Sequence, residues 1–182
     1  MKRDSIDAVM QRLEFVLDEF DRIARTAHAI YRSYRPEHLI DHSPRAQATC
    51  IYDHMAAEAE RRFNQKGGVE ALDIRGLKLW VFDQHTVARF KKMDEDGKSR
   101  NYPTTQAKAF DLMQELDGVP PKPTRVTVGY LLDPTGTAIQ RVQVARPNGR
   151  SIDWCAAIVP AVERIAGGRI WEEVTKQMRF GT

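Results

Sequence analysis

Apolar residues recur with a helical period over residues 4–34. Positions three, four and seven residues apart are apolar along this stretch, as in Leu13, Leu17 and Phe20. The spacing predicts a long amphipathic helix. Its apolar face is wider than a two-stranded coiled-coil seam requires, which favours packing on the protein's own core. The alternative is that the same face binds a second copy of the chain or another protein.

Prolines mark the predicted end of this helix and the start of the next. The pair Arg35-Pro36 ends it, because the residue before a proline disfavours the helical backbone. We therefore expect an N-terminal helix at residues 1–36 and a single domain at residues 37–182. Within that domain, Ser43 and the proline after it are a cap and first position for another helix, which extends to about residue 63.

Strand patterns begin at residue 69. Residues 69–74 predict a short strand, and residues 77–82 and 87–90 flank a short connection that predicts a hairpin. Three further strands at residues 126–158 predict a meander. Strands grouped in hairpins and separated along the chain from helices indicate an α+β fold built on an antiparallel sheet.

Two more helices complete the prediction. The first covers about residues 105–116 and leads into residues 117–123, where three prolines favour an extended linker. The second is a C-terminal helical segment that starts at Pro160. Its apolar stripe consists of Ile170, Trp171, Val174 and Met178.

Composition limits the class of protein. A chain of 182 residues that is 42% hydrophobic can bury a sizeable core. No apolar run approaches a membrane span and the N-terminal residues lack a secretion signal, so we expect a cytoplasmic protein with no membrane partner. Cys50 and Cys155 are too few for a disulfide framework or a thiolate metal site. The net charge of +3 permits a nucleic-acid partner without indicating one.

A basic segment follows the central hairpin and is the first candidate binding site. Basic side chains interleaved with an aromatic ring suit phosphate and base contacts. A solvated surface loop is the alternative, and later strands add Arg141, Arg146 and Arg150. The candidate binding residues are Arg89, Lys91, Lys92, Lys98, Arg100 and Tyr102.

A metal-dependent nuclease is the rival hypothesis. Glu58 on a helix, Asp83 at a hairpin turn and Lys91 at the end of the next strand resemble the restriction-endonuclease-like arrangement. That resemblance implies two acids holding Mg²⁺ and a lysine that positions the attacking water. The family places an acid two residues before the lysine, where this chain has Arg89, and this difference removes one expected ligand.

Three histidines give a second metal hypothesis. His38 and His42 are four residues apart, and His54 follows on the next predicted helix. With Asp41 beside it, the first pair resembles the inverted zinc-peptidase motif, in which the acid is a glutamate. The pair lies between two helices, so we expect ordinary histidines and no metal.

Residues 89–107, RFKKMDEDGKSRNYPTTQA, and residues 129–133, GYLLD, carry a family resemblance. They resemble a group of uncharacterised bacterial proteins associated with mobile elements and with operons beside regulatory or defence genes. The resemblance covers residues 38–158 and implies a regulatory or defence role, without assigning catalytic residues. We therefore expect a non-enzymatic binding or regulatory protein that acts with a protein or nucleic-acid partner and needs no cofactor.

Overall fold

The computed structural model describes residues 4–99 and 104–175. The helices in this part of the chain are α1 (Ile6–Arg32), α2 (Pro36–Ile40), α3 (Pro44–Phe63) and α4 (Thr105–Asp111). The strands are β1 (Val69–Ile74), β2 (Leu77–Phe82), β3 (Thr86–Lys92), β4 (Thr124–Leu132), β5 (Ile139–Asn148), β6 (Ser151–Ile158) and β7 (Trp171–Glu173). The predicted α+β class is confirmed. No helix among the described residues combines the length and the apolar character needed to cross a membrane.

All seven of these strands form one sheet in the order of the chain, β1 to β7. Neighbouring strands are antiparallel except β3 and β4, which pair in parallel from Thr86 with Thr124 to Lys92 with Tyr130. The predicted hairpin and meander are thus halves of one mixed sheet. The connection through α4 returns the chain to the same end of the sheet, which a parallel pair requires.

Helices α1 and α3 cover one face of the sheet. Leu13, Leu17 and Phe20 of α1 are at most 1% exposed and belong to one hydrophobic cluster with α3 and the inner strands. The apolar face of α1 is therefore occupied within the chain, as the core-packing interpretation predicts. Helix α1 ends at Arg32, and Pro36 is the first residue of α2.

The opposite face is covered by α4 and by the chain after β3. Side chains alternate along a strand, so Ala88 and Phe90 of β3 pack against the α1/α3 cluster while Arg89 points toward α4. Phe110 of α4 packs in a second cluster with β2 and β3 residues, including Val87. This second face brings polar side chains from several elements together.

Two predicted helices differ from the structure. Helix α4 ends at Asp111 because the chain turns at Met113, whose φ is +56°. After Pro160 there is only a 3-10 turn, Ala161–Glu163, followed by strand β7 on the edge of β6. The prediction of a C-terminal helix is therefore wrong within the described residues. Trp171 packs on the α1/α3 cluster and Val174 on the cluster around Cys155, while Met178 lies outside the described residues.

Residues 117–123 also differ from the predicted extended linker. They form turns and bends, and Gly118 and Lys122 have φ values of +77° and +52°. The prolines limit helix formation in this segment, but residues between them remain able to reverse the chain. The compact connection returns the chain from α4 to the start of β4.

Candidate functional site

Arg89 lies in a buried ionic contact between β3, β4 and α4. Its Nη2 donates to Asp111 Oδ1 at 2.6 Å, its Nε donates to Thr127 Oγ1 at 3.1 Å, and its Nη1 donates to the Ala107 carbonyl oxygen at 3.4 Å. The guanidinium carbon is 4.7 Å from the ring centroid of Phe110. Only 3% of the Arg89 side chain is exposed. Arg89, one of the candidate binding residues, therefore lies in the interior with its guanidinium group already paired.

Burial and pairing act in opposite directions on this contact. Burial lowers the pKa of Arg89, and the Asp111 carboxylate opposes that change. Burial raises the pKa of Asp111, and Arg89 opposes it. A guanidinium keeps its proton in proteins, so the pair is an ionised one that holds α4 against the sheet.

The turn that follows β3 is docked on the sheet. Asp94 Oδ1 accepts a hydrogen bond from the Lys98 backbone nitrogen at 2.9 Å, and Gln143 Nε2 donates to the Asp94 carbonyl oxygen at 2.8 Å. Gly97 has φ of +79°, and a Cβ there would lie 2.9 Å from Cys155 Sγ. Residues 94–98, which we call the docked turn, therefore have a defined position that glycine makes possible.

A pocket of about 270 Å³ opens between β3, the docked turn, α4 and the β5–β6 turn. We call it the cationic pocket. Its charged lining residues are Arg89, Lys91, Lys98, Arg150 and Asp111. The one carboxylate in this set is already bound to Arg89. Within residues 4–99 and 104–175, no ion pair engages Lys91, Lys98 or Arg150.

Lys91 is the half-buried member of the cationic pocket. Burial lowers the pKa of its ammonium group, the charge of Arg89 lowers it further, and Asp111 acts in the opposite direction. Its Nζ is 5.4 Å from the ring centroid of Tyr52, a cation–π distance. A partly desolvated ammonium group without a carboxylate contact among the described residues favours an anionic ligand.

Lys92, predicted beside Lys91, lines a different and larger cleft of about 1210 Å³. Burial lowers the pKa of its ammonium group. Three other cations line this cleft, namely Arg32, Arg45 and Lys91, which borders both this cleft and the cationic pocket. Its acidic lining residues are Asp94, Glu95, Asp96 and Asp133. Because charges of both signs balance there, the larger cleft is less suited to a polyanion than the cationic pocket.

The predicted nuclease residues are not brought together. Asp83 lies at the turn before β3 and Lys91 near the other end of that strand, about 17 Å along it at a rise of about 3.3 Å per residue. Glu58 accepts hydrogen bonds from Arg61 at 2.6 Å and from Arg62 at 3.1 Å. No group of three or more His, Cys, Asp or Glu side chains in the described part of the chain has an arrangement that could hold a metal ion.

The three candidate zinc ligands are also separate. His42 Nδ1 is 3.1 Å from Tyr31 Oη, and His54 Nε2 is 2.6 Å from Tyr34 Oη. His38 is an exposed residue of the short helix α2. Each of the first two histidines therefore has a tyrosine partner, and the three do not converge on one point.

Sequence reasoning missed two residues of this site, Asp111 and Thr127. A signal for the second was present, because Arg125 and Thr127 alternate with valines in β4 and predict a polar face opposite the apolar one. Asp111 had no such signal, since only the folded chain places α4 over β3. The predicted binding residues Arg100 and Tyr102 lie outside the described residues.

Comparison of the chain with protein-family models, with curated proteins and with solved structures found no match.

Proposed function

We propose that this chain is a non-enzymatic binding protein whose partner is a nucleic acid, and that the cationic pocket holds a phosphate group of that partner. The observation that carries the proposal is the convergence of Lys91 from β3, Lys98 from the docked turn and Arg150 from the β5–β6 turn. Positive side chains supplied by separate elements surround an anion from several directions, which one basic stretch of sequence does not achieve.

The floor of the pocket supports binding rather than catalysis. Asp111 is the charged side chain in it that could act as a base, and its carboxylate is 2.6 Å from Arg89 Nη2. Thr127 Oγ1 accepts from Arg89 Nε, which leaves the threonine proton free to be donated to a ligand oxygen. The pocket therefore offers donors and positive charge. A regulatory or defence role, which the family resemblance implies, is compatible with such a binding protein.

The salt dependence of binding tests this proposal. Fluorescence anisotropy of labelled single-stranded and duplex DNA and RNA would be recorded from low to physiological salt for the wild type and for a Lys98→Ala, Arg150→Ala double variant. Each phosphate contact that is lost lowers the slope of log affinity against log salt by about one. We expect the double variant to bind more weakly, with a slope reduced by up to about two.

A matched control removes two exposed cations elsewhere, Lys122 and Arg169, which do not line the pocket. Its slope should stay close to that of the wild type. Equal slopes for the wild type and the pocket variant, or no salt-dependent binding by the wild type, would refute the proposal.

The magnesium-dependent nuclease stays a prediction with its own test. The same nucleic acids would be incubated with the wild type and Mg²⁺, and any cleavage should be lost in an Asp83→Ala variant because a carboxylate ligand is removed. Intact substrate in every wild-type reaction would contradict the roles predicted for Glu58, Asp83 and Lys91.

A further inference from the structure

We infer that the cationic pocket receives the terminal phosphate of a nucleic-acid strand, a phosphate monoester, rather than an internal phosphodiester. This inference rests on the proposed function and specifies which phosphate the site selects. It follows from the small volume of the pocket, from its charge and from the donors on its floor.

Two contacts between separate elements border the pocket. The Gly149 backbone nitrogen donates to the Asp111 carbonyl oxygen at 2.9 Å, which joins the β5–β6 turn to α4. Gly97 of the docked turn packs against Ala145 and Cys155, which joins that turn to β5 and β6. An internal phosphodiester continues into a sugar on both sides and therefore needs a groove that is open at two ends. A terminal phosphate is attached on one side only, so a small pocket bordered by these two contacts can accept it.

The volume agrees with this selection. A pocket of about 270 Å³ lies just below the range of about 300–1,000 Å³ that is usual for sites of drug-sized ligands. It has room for a small polar group at the end of a chain, but not for several consecutive nucleotides. The rest of the strand would lie outside the pocket, where exposed cations supply the salt-dependent part of the affinity.

The charge of the lining also favours a monoester. A phosphate monoester carries a charge of about −1.5 to −2 at neutral pH and has three acceptor oxygens, whereas a phosphodiester carries one negative charge. Lys91, Lys98 and Arg150 supply three positive charges that no ion pair engages in the described ranges 4–99 and 104–175. Lys91 is half-buried, so its ammonium group is stabilised more by a dianion than by a monoanion.

Hydroxyl groups add hydrogen-bond donors for the acceptor oxygens of a phosphate. Thr127 Oγ1 accepts from Arg89 on the floor, so its proton can be directed into the pocket. Ser99 lines the rim and adds a hydroxyl, whereas the Ser151 hydroxyl on the same rim already donates to the Asn148 carbonyl oxygen at 2.9 Å. With the ammonium and guanidinium groups, the hydroxyls of Thr127 and Ser99 match the three acceptor oxygens of a terminal phosphate.

The test compares strands that differ only at their ends. Single-stranded oligonucleotides of one sequence, with an internal fluorophore, would carry a 5′-phosphate, a 3′-phosphate or hydroxyls at both ends. We expect at least one phosphorylated strand to bind tenfold or more tightly than the unphosphorylated strand. A nucleoside monophosphate should compete with that strand, and the corresponding nucleoside should not.

The preference must also depend on the pocket. Lys91→Ala and Arg150→Ala should each reduce the tenfold preference to less than threefold, while the Lys122→Ala control keeps it. Because Lys91 is half-buried, Lys91→Met serves as a second variant that retains most of the apolar stem, and circular dichroism verifies that each variant is folded. The exposed Arg150 gives an independent result if both Lys91 variants are unfolded.

The outcomes separate this inference from the proposed function. If all three strands bind equally and the slope still falls in the Lys98→Ala, Arg150→Ala variant, the terminal-phosphate inference is overturned and nucleic-acid binding stands. If no strand binds, both fail. A phosphate preference that persists unchanged in the folded pocket variants also overturns the inference, because the terminal phosphate would then be recognised elsewhere.

Discussion

Removing the Asp111 carboxylate tests the buried ionic contact on which the site is built. In Asp111→Ala, Arg89 keeps its charge and its 3% exposed position but loses the partner at 2.6 Å. Removal of one member of a buried pair typically costs about 3–5 kcal/mol, because the other charge is left without compensation. Asp111 is itself 21% exposed, so water can replace part of the lost contact. We therefore expect a loss of about 3 kcal/mol, at the lower end of that range.

The assay is equilibrium unfolding in urea, followed by circular dichroism, for the wild type, Asp111→Ala and an Arg89→Met, Asp111→Leu double variant. The double variant removes the charge together with its partner, and methionine can still pack on Phe110. Its free energy of unfolding should exceed that of Asp111→Ala by at least about 1 kcal/mol, because no charge is left buried alone.

Two results would refute this reasoning. A loss of less than about 1 kcal/mol in Asp111→Ala would mean that Arg89 finds another partner or reaches water. A double variant less stable than Asp111→Ala would mean that the hydrogen bonds of Arg89 to Thr127 and Ala107 matter more than its charge pair. In the first case the floor of the cationic pocket would need a different description.

Three further predictions concern stability. Leu17→Asp should lower the free energy of unfolding by more than about 4 kcal/mol or unfold the protein, because Leu17 is 1% exposed. Thermal melting and light scattering test this, and a variant that stays folded but changes its association would contradict it. Gly129→Ala would place a methyl group against the Lys91 carbonyl oxygen and should lower the free energy of unfolding by at least about 2 kcal/mol. Gly67→Ala is the control, because a methyl group there meets open space, and its free energy of unfolding should change by no more than about 1 kcal/mol. Equal urea midpoints for the two variants would contradict this prediction. Hydrogen bonds within its own turn lower the pKa of Asp133 to about 2. The contribution of this carboxylate to stability is therefore complete above the ordinary pKa of 3.8 and is lost as the pH falls toward 2. Asp133→Asn should lose less stability than the wild type over that pH range, and an equal fall in melting temperature for both proteins would contradict this.

The local pattern of the sequence predicted the elements whose apolar positions keep one period. The long helix, the helix at residues 44–63 and the hairpin strands each bury one regular face, so their extent follows from spacing and caps. The C-terminal segment was predicted as a helix because its few apolar residues fit the period of a helix as well as that of a strand. Trp171 and Val174 lie on opposite faces of the sheet, and pairing with β6 decided between the alternatives.

The position of the charged side chains could not be obtained in the same way. Nearness in sequence suggested that Arg89, Lys91 and Lys92 act together. Alternation along β3 and the helix packed over it instead place Arg89 in a buried ion pair and Lys92 in the larger cleft, while Lys91 borders both that cleft and the cationic pocket. Side-chain period and caps are local properties, so the sequence by itself determined the main helices, the hairpins and the fold class. Parallel pairing of β3 with β4, burial of Arg89 against Asp111 and the approach of Arg150 to Lys91 involve residues 22 to 59 positions apart. Only the tertiary structure decides such contacts, because the free energy of bringing distant residues together depends on all the surfaces buried between them.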